Sequence, residues 1–223
     1  MRIDDELKAT FSGLRVLELE LPDLTVKRVD TRLEEFKKRK QEEIRAKIRS
    51  LDEVKNLRVF RAYRDFYWKV GIDPTKTRPA GEALTRRILS GRDLPTINTL
   101  VDSYNIASAE SFVAIAAFDL SKISRDSLFM RKARKGEYFL GIGMEKEIEL
   151  SGVEVVIEDE KRSDLIAVYP YRDSDASKVT ESTRDALMLM CGVPGISDED
   201  LDIARALTKQ YVEEHCRSGE KQV

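Results

Sequence analysis

The chain has 223 residues, 41% of them apolar and 36% charged, and a formal net charge of −2. That is length enough for a proper core; the charge excludes a global pull toward nucleic acid or membrane, and no apolar run approaches the ~20 residues that span a bilayer. Two cysteines, Cys191 and Cys216, and one histidine, His215, exclude a disulfide framework, a typical zinc site and a Ser-His-Asp triad.

The N-terminus is acidic at Asp4, Asp5 and Glu6 and lacks a signal-peptide core, so a cytoplasmic protein is expected. Residues 14–21 alternate, with Leu14, Val16, Leu19 and Leu21 apolar, and read as a half-buried strand. Residues 31–49 read as a charged helix opened by a Thr31–Glu34 capping box. Its few apolar positions, Leu33, Phe36, Ile44 and Ile48, suggest a solvated surface helix. In 54–70, Leu57, Phe60, Tyr63, Tyr67 and Val70 recur at helical spacing until Gly71 and Pro74 stop the pattern. Further helices are expected over 81–89 and 96–108.

The texture then changes to short strands, expected over 112–118, 127–134, 138–142, 146–150, 153–158, 165–171 and 183–191. Ser197 with Asp200 caps a last helix to about 217, with His215 expected as a solvated residue in its final turn and a frayed tail from Ser218. Helices first and strands second argue an α+β fold rather than alternating α/β. The simplest organisation is a single domain over 1–223, with a helical N-terminal part at 30–92.

No GxGxxG, GxxxxGK[ST] or GxSxG motif is present. Carboxylate, metal-water or substrate-assisted chemistry stays open, although no cofactor and no metal is expected. Residues 55–92 hold ten Lys/Arg against three Asp/Glu, whereas 137–164 hold nine Asp/Glu against three Lys/Arg. Arg58, Arg61 and Arg64 advance by threes along one helix side; Lys76, Arg78, Arg86 and Arg87 follow, and Thr75 and Thr77 add hydroxyls. Such a stripe suits an RNA backbone, or else a solvated face paired internally with the acidic half.

The stretch 166–175 runs an apolar strand into Tyr169-Pro170-Tyr171-Arg172-Asp173-Ser174-Asp175. Polar groups at the end of a buried strand often line a pocket. There Asp173 or Asp175 would orient a water, Arg172 would hold a carboxylate or phosphate, and the tyrosines would stack on a ring; the plainer alternative is a hairpin closed by an Arg–Asp pair.

Residues 101–108 (VDSYNIAS) and 116–123 (AAFDLSKI) resemble a Val-Asp-x-x-Asn … His-Ala-Phe-Asp-Leu-x-Lys-Ile pattern of the phenylalanyl-tRNA synthetase β subunit, in its editing module. Ile166-Ala167 and Val179-Thr180-Glu181, with Thr183 and Asp185, resemble a later segment of that module, so the likeness covers roughly 93–191. Tyr63-Arg64-Asp65-Phe66-Tyr67-Trp68 and the Tyr169–Asp173 turn are similar to free-standing relatives of the module.

The resemblance implies a three-layer β/β/α fold with mixed sheets and a pocket for the aminoacylated 3′ end of tRNA. On that pattern Asn105 is retained, while Ala116 stands for a histidine, Asp173-Ser174 for a glycine pair and Leu189 for a glutamate. The residues implied to bind substrate are Asn105, Tyr104, Ala116, Tyr169, Tyr171 and Ser174, with Asp173 and Arg172 in any catalytic role. Expected partners are tRNA or aminoacyl-tRNA, or a free amino acid, and no membrane. Three readings follow: a tRNA-binding module, an amino-acid or metabolite sensor on the same pocket, and a trans-acting hydrolase of mischarged aminoacyl-tRNA.

Overall fold

A computed structural model describes residues 1–48 and 50–217. Strand β1 (Arg2–Ile3) and helix α1 (Asp5–Thr10), capped by Asp4, precede the first expected element. β2 (Arg15–Leu21) lies where the alternation put it. Helix α2 (Thr31–Lys47) is capped by Asp30, whose carboxylate accepts the N–H groups of Arg32 and Leu33, so the expected Thr31–Glu34 box is not made. Aspartate is as good a cap as threonine or better, and it stands one residue earlier. Arg49 and the expected tail lie outside the described residues.

α2 is not the solvated helix expected. Leu33, Lys37, Gln41 and Ile44 form one buried stripe at i, i+4 and i+3 spacing. The Lys37 ammonium is satisfied there by Asp102 (3.0 Å), Glu34 (2.9 Å), Thr96 Oγ1 (2.9 Å) and the Pro95 carbonyl (3.1 Å).

The helix expected over 54–70 is two helices, α3 (Leu51–Val54) and α4 (Arg58–Lys69), because Leu57 adopts extended backbone as the cap of the second. α5 (Ala80–Leu89) follows, then α6 (Thr99–Ser111), capped by Asn98 and so begun three residues later than expected. Phe112 closes α6 in the left-handed region, at φ 67°, and moves the start of the next strand to β3 (Ile115–Asp119).

The remaining strands are β4 (Leu128–Lys132), β5 (Tyr138–Phe139), β6 (Ile148–Glu149), β7 (Val155–Asp159), β8 (Asp164–Tyr169), β9 (Arg172–Asp173) and β10 (Ala186–Gly192). α7 (Asp198–Cys216) opens on the expected Ser197–Asp200 capping box.

Two sheets and a helical layer make the α+β architecture. One sheet has the order β1-β4-β7-β8-β9 and is mixed, with β1 parallel to β4 and the other pairs antiparallel. The other is antiparallel, β2-β10-β3, while β5 and β6 form a small hairpin. α6 and α7 pack on each other and on the three-stranded sheet, and β9 meets β3 from the other sheet. The central β10 is therefore covered on both faces and buried along its whole length, which is why it reads as an unbroken apolar run rather than an alternating one.

His215 is not solvated. Its side chain is 5% exposed and its ring lies 5.0 Å from that of Phe36 on α2. Desolvation pulls its pKa below the usual histidine value, so it sits in the last turn of α7 as a neutral ring and not as a cation on the helix dipole. The internal pairing expected between the basic and acidic stretches is not the pattern seen either. In the acidic stretch Glu137 and Glu158 hold Arg131, each at 2.6 Å.

Candidate ligand cavity and basic groove

A cavity of about 170 Å³ opens between the two sheets, beside α6. Its floor is buried and mostly small or apolar: Ala114, Ala116, Ile157, Ala167 and Cys191. The three alanines stand where larger side chains would fill the space. The mouth is formed by half-buried residues: Ala80 at the start of α5, Tyr104 and Asn105 on α6, and Tyr171, Arg172 and Asp173 at the end of the five-stranded sheet. A polar rim over an apolar floor is the usual anatomy of a small-molecule site.

Asp173 is delivered there by the β8–β9 pairing, which sets it opposite Ala167. Its Oδ2 accepts the backbone N–H of Ala117 across the sheets at 3.3 Å. Burial pushes its pKa up to about 7, and the single backbone hydrogen bond offsets this only in part. Arg172 does not neutralise it. That guanidinium donates to the Ile142 carbonyl (2.9 Å) and lies 5.0 Å from the centre of the Tyr171 ring, so the Arg–Asp pair that would close a plain hairpin is not formed. Gly141 makes this possible, since a Cβ there would overlap the Arg172 side chain.

Burial likewise raises the pKa of Tyr104, helped by the charge of Asp173, and that of the Cys191 thiol. Tyr169 contributes one wall. It is fully buried, follows β8 into a cis bond to Pro170, and its hydroxyl reaches the carbonyls of Gly192 (3.1 Å) and Arg15 (3.2 Å).

Of the residues expected to bind substrate, Asn105, Tyr104, Ala116, Tyr169 and Tyr171 all line the cavity, as do Asp173 and Arg172. Ser174 does not; it is buried, and its hydroxyl accepts the N–H of Ala176. Asp175 is paired with Lys178 at 2.7 Å.

The basic residues divide. Arg64 grips the fully buried Glu82 through both carboxylate oxygens (2.9 and 3.0 Å), and Arg86 Nε reaches the same carboxylate at 2.8 Å. Arg58 forms a bidentate pair with Asp200 (2.7 and 2.8 Å) and donates to the Gly195 carbonyl. Arg61 is exposed, and Lys76 stands 3.9 Å from Asp73. The Thr75 hydroxyl is taken by Asp73. Arg78, Arg86 and Arg87 do come together, with Arg92, along a groove bordered by Leu84 and Pro95. α5 joins the two features, with Ala80 at the cavity and Arg86 and Arg87 in the groove. At 1.5 Å per residue they are about 10 Å apart along the axis.

Sequence reasoning missed Cys191, Ile157 and Ala167 as cavity walls, Arg92 in the groove, and Glu82 as the hub that takes up two arginines. The alternation of Ala114 and Ala116 in a strand pattern was a usable signal for missing volume. The role of Glu82 was half readable: Arg86 follows it at i,i+4 on α5, whereas Arg64 comes from α4 and leaves no local signal.

No curated protein matches the chain. Among solved structures, an N-terminal fragment of the phenylalanyl-tRNA synthetase β-subunit from Pyrococcus horikoshii is similar over 53% of this chain, at 18% identity and a TM-score of 0.43. The similar region spans 41% of that fragment's length. The family model of the B3/4 domain matches residues 62–212, from within α4 through β3–β10 into α7, and the chain belongs to that family.

Proposed function

We propose that this chain is an RNA-binding module that takes the aminoacylated 3′ end of a tRNA, with the aminoacyl group in the cavity and the phosphates along the arginine groove. The observation that carries the reading is the arrangement on α5, which starts at the cavity mouth and ends in a groove lined by Arg78, Arg86, Arg87 and Arg92. A single strand leaving the cavity meets guanidinium groups about 10 Å away along α5. The likeness of residues 101–123 and 166–185 to the synthetase editing module supports the same choice of ligand.

One observation favours a second reading, hydrolysis of the aminoacyl ester. A carboxyl with a pKa of about 7 at the cavity mouth is matched to proton transfer at neutral pH. On that reading Asp173 takes a proton from water as it attacks the ester carbonyl, and the leaving group is the ribose hydroxyl.

The test is binding of charged and uncharged tRNA across a salt series, with the fate of the ester followed in parallel. Tight, salt-dependent binding with an intact ester supports the module. Ester loss abolished by Asp173→Asn makes it a hydrolase. Absence of tRNA binding alongside binding of a free amino acid would leave the sensor reading.

A further inference from the structure

We infer that the arginine groove seats one whole nucleotide, with its phosphate on tethered guanidinium groups and its base laid flat on a strip of hydrocarbon, whichever base it is. This rests on the proposed reading of the groove as a place for RNA phosphates, and it adds a contact that a bare phosphate track lacks.

Three of the four arginines are tethered through Nε. Arg86 Nε donates to Glu82 at 2.8 Å, Arg87 Nε to the Asp93 carbonyl, and Arg92 Nε to the Ser90 hydroxyl at 3.1 Å. Their Nη groups donate no hydrogen bond to a described residue, and neither Arg87 nor Arg92 has a carboxylate partner among those residues. The end of each fork, two Nη groups side by side, is left for a pair of phosphate oxygens. A guanidinium already held at Nε has less freedom to lose when those oxygens arrive.

The groove measures about 380 Å³, far more than a phosphate fills. The rest of its lining is hydrocarbon, from Ala83 and Leu84 on α5 and from Pro95. Leu84 and Pro95 are half-buried, and the Pro95 carbonyl is fixed by the Lys37 ammonium at 3.1 Å, so the strip is held in place. The faces of a base pack on apolar side chains and on guanidinium planes. The lining has no side-chain acceptor. The amino groups of adenine and cytosine therefore meet no side-chain partner, and the base is held by its faces and not by its edges.

The experiment is calorimetric titration of the whole chain with adenosine 5′-monophosphate, uridine 5′-monophosphate, ribose 5-phosphate and adenosine. It is run on the native sequence, on Leu84→Ser and on the double variant Arg87→Gln with Arg92→Gln, and tRNA binding is measured on the same samples. Ribose 5-phosphate carries the charge of the nucleotides without the base, so the comparison isolates the strip. Both nucleotides should bind at least about tenfold more tightly than ribose 5-phosphate, the worth of one stacked base, and more tightly than adenosine. The two should lie within about fivefold of each other, since stacking tolerates any base. Leu84→Ser should bring the nucleotides down toward ribose 5-phosphate and leave ribose 5-phosphate unchanged. The double arginine variant should weaken all three phosphates. Pro95→Ser tests the same strip should Leu84→Ser fail to fold, and the ligand comparison on the native chain needs no variant.

Equal binding of nucleotides and ribose 5-phosphate overturns the inference. So does binding of none of the phosphates, a strong preference for one base, or nucleotide binding that the groove variants leave unchanged. Any of these with tRNA still bound leaves the proposed function standing. Nucleotide binding that tRNA displaces makes RNA the source of the nucleotide. Nucleotide binding without tRNA binding keeps the inference, makes a free nucleotide the ligand and removes the proposed function.

Discussion

Two acidic side chains mark the contrast between the helical part and the sheet cavity. Glu82 on α5 has no exposed surface, yet two guanidinium nitrogens, Arg64 Nη1 and Arg86 Nε, make three contacts with its carboxylate within 3.0 Å. Asp173 at the end of the five-stranded sheet meets one backbone N–H at 3.3 Å and no cation, and its pKa rises to about 7. Each carboxylate has an arginine nearby in sequence, but one has its charge answered by the fold and the other does not. A buried carboxylate with its partners in place holds helices together. A half-buried carboxylate left short of partners, at the mouth of a space, is available to something that arrives from outside.

The contrast can be broken most sharply at Glu82. Glu82→Leu strands two guanidiniums, each 24% exposed, and should cost roughly 3–5 kcal/mol in denaturant unfolding. A loss under about 1 kcal/mol would mean that water, not Glu82, satisfies the arginines.

Asp173→Asn should act in the opposite direction. A carboxyl whose folded pKa is raised binds more protons folded than unfolded between its model value of 3.8 and about 7. Native stability therefore falls as pH rises through that window and levels off above it. The upper bound of the penalty is roughly 4 kcal/mol, and the penalty itself is less because the residue is half-buried and partly screened by water. An amide at this position carries no such slope, so the denaturation midpoint of the variant should exceed the native one at pH 8 and match it near pH 4.

The arginines sharpen the comparison from the functional side. Arg87→Gln with Arg92→Gln should lower the salt slope of tRNA binding by about 1.5, at roughly 0.7 per single-strand phosphate contact, without loss of stability. Arg64→Gln should leave the slope nearly unchanged and destabilise the fold, because its charge already belongs to Glu82. Asp30→Ala is the mildest case, removing the carboxylate that caps α2. It should cost about 1 kcal/mol by thermal unfolding.

The order of elements and the α+β class were legible because strong periodicity survives without tertiary knowledge. So was most of the cavity mouth, through Tyr104, Asn105 and the Tyr169–Asp173 turn. What failed did so for nameable reasons. Lys37 and Gln41 counted as polar and hid the buried stripe of α2, since a lysine on such a stripe is readable only once Asp102, 65 positions away, is known to meet it. Leu57 continued an apolar pattern through a helix break. Arg64 looked like a free charge because nothing local discloses that it meets Glu82 from another helix, whereas the Glu82–Arg86 pair at i,i+4 was readable within α5. His215 looked exposed because a terminal helix turn usually is, and α2, with the Phe36 ring against it, packs over it.

The Tyr169 hydroxyl, shared between the carbonyls of Gly192 on β10 and Arg15 on β2, ties the five-stranded sheet to the three-stranded one behind the cavity. The two walls are thus braced before any guest arrives. A guest gives up its own freedom on entry, but the host has little left to surrender, so the entropic toll falls on one partner only. Entry should then be governed by passage through the mouth, with an association rate set by diffusion and rim charge and not by a slow opening of the sheets.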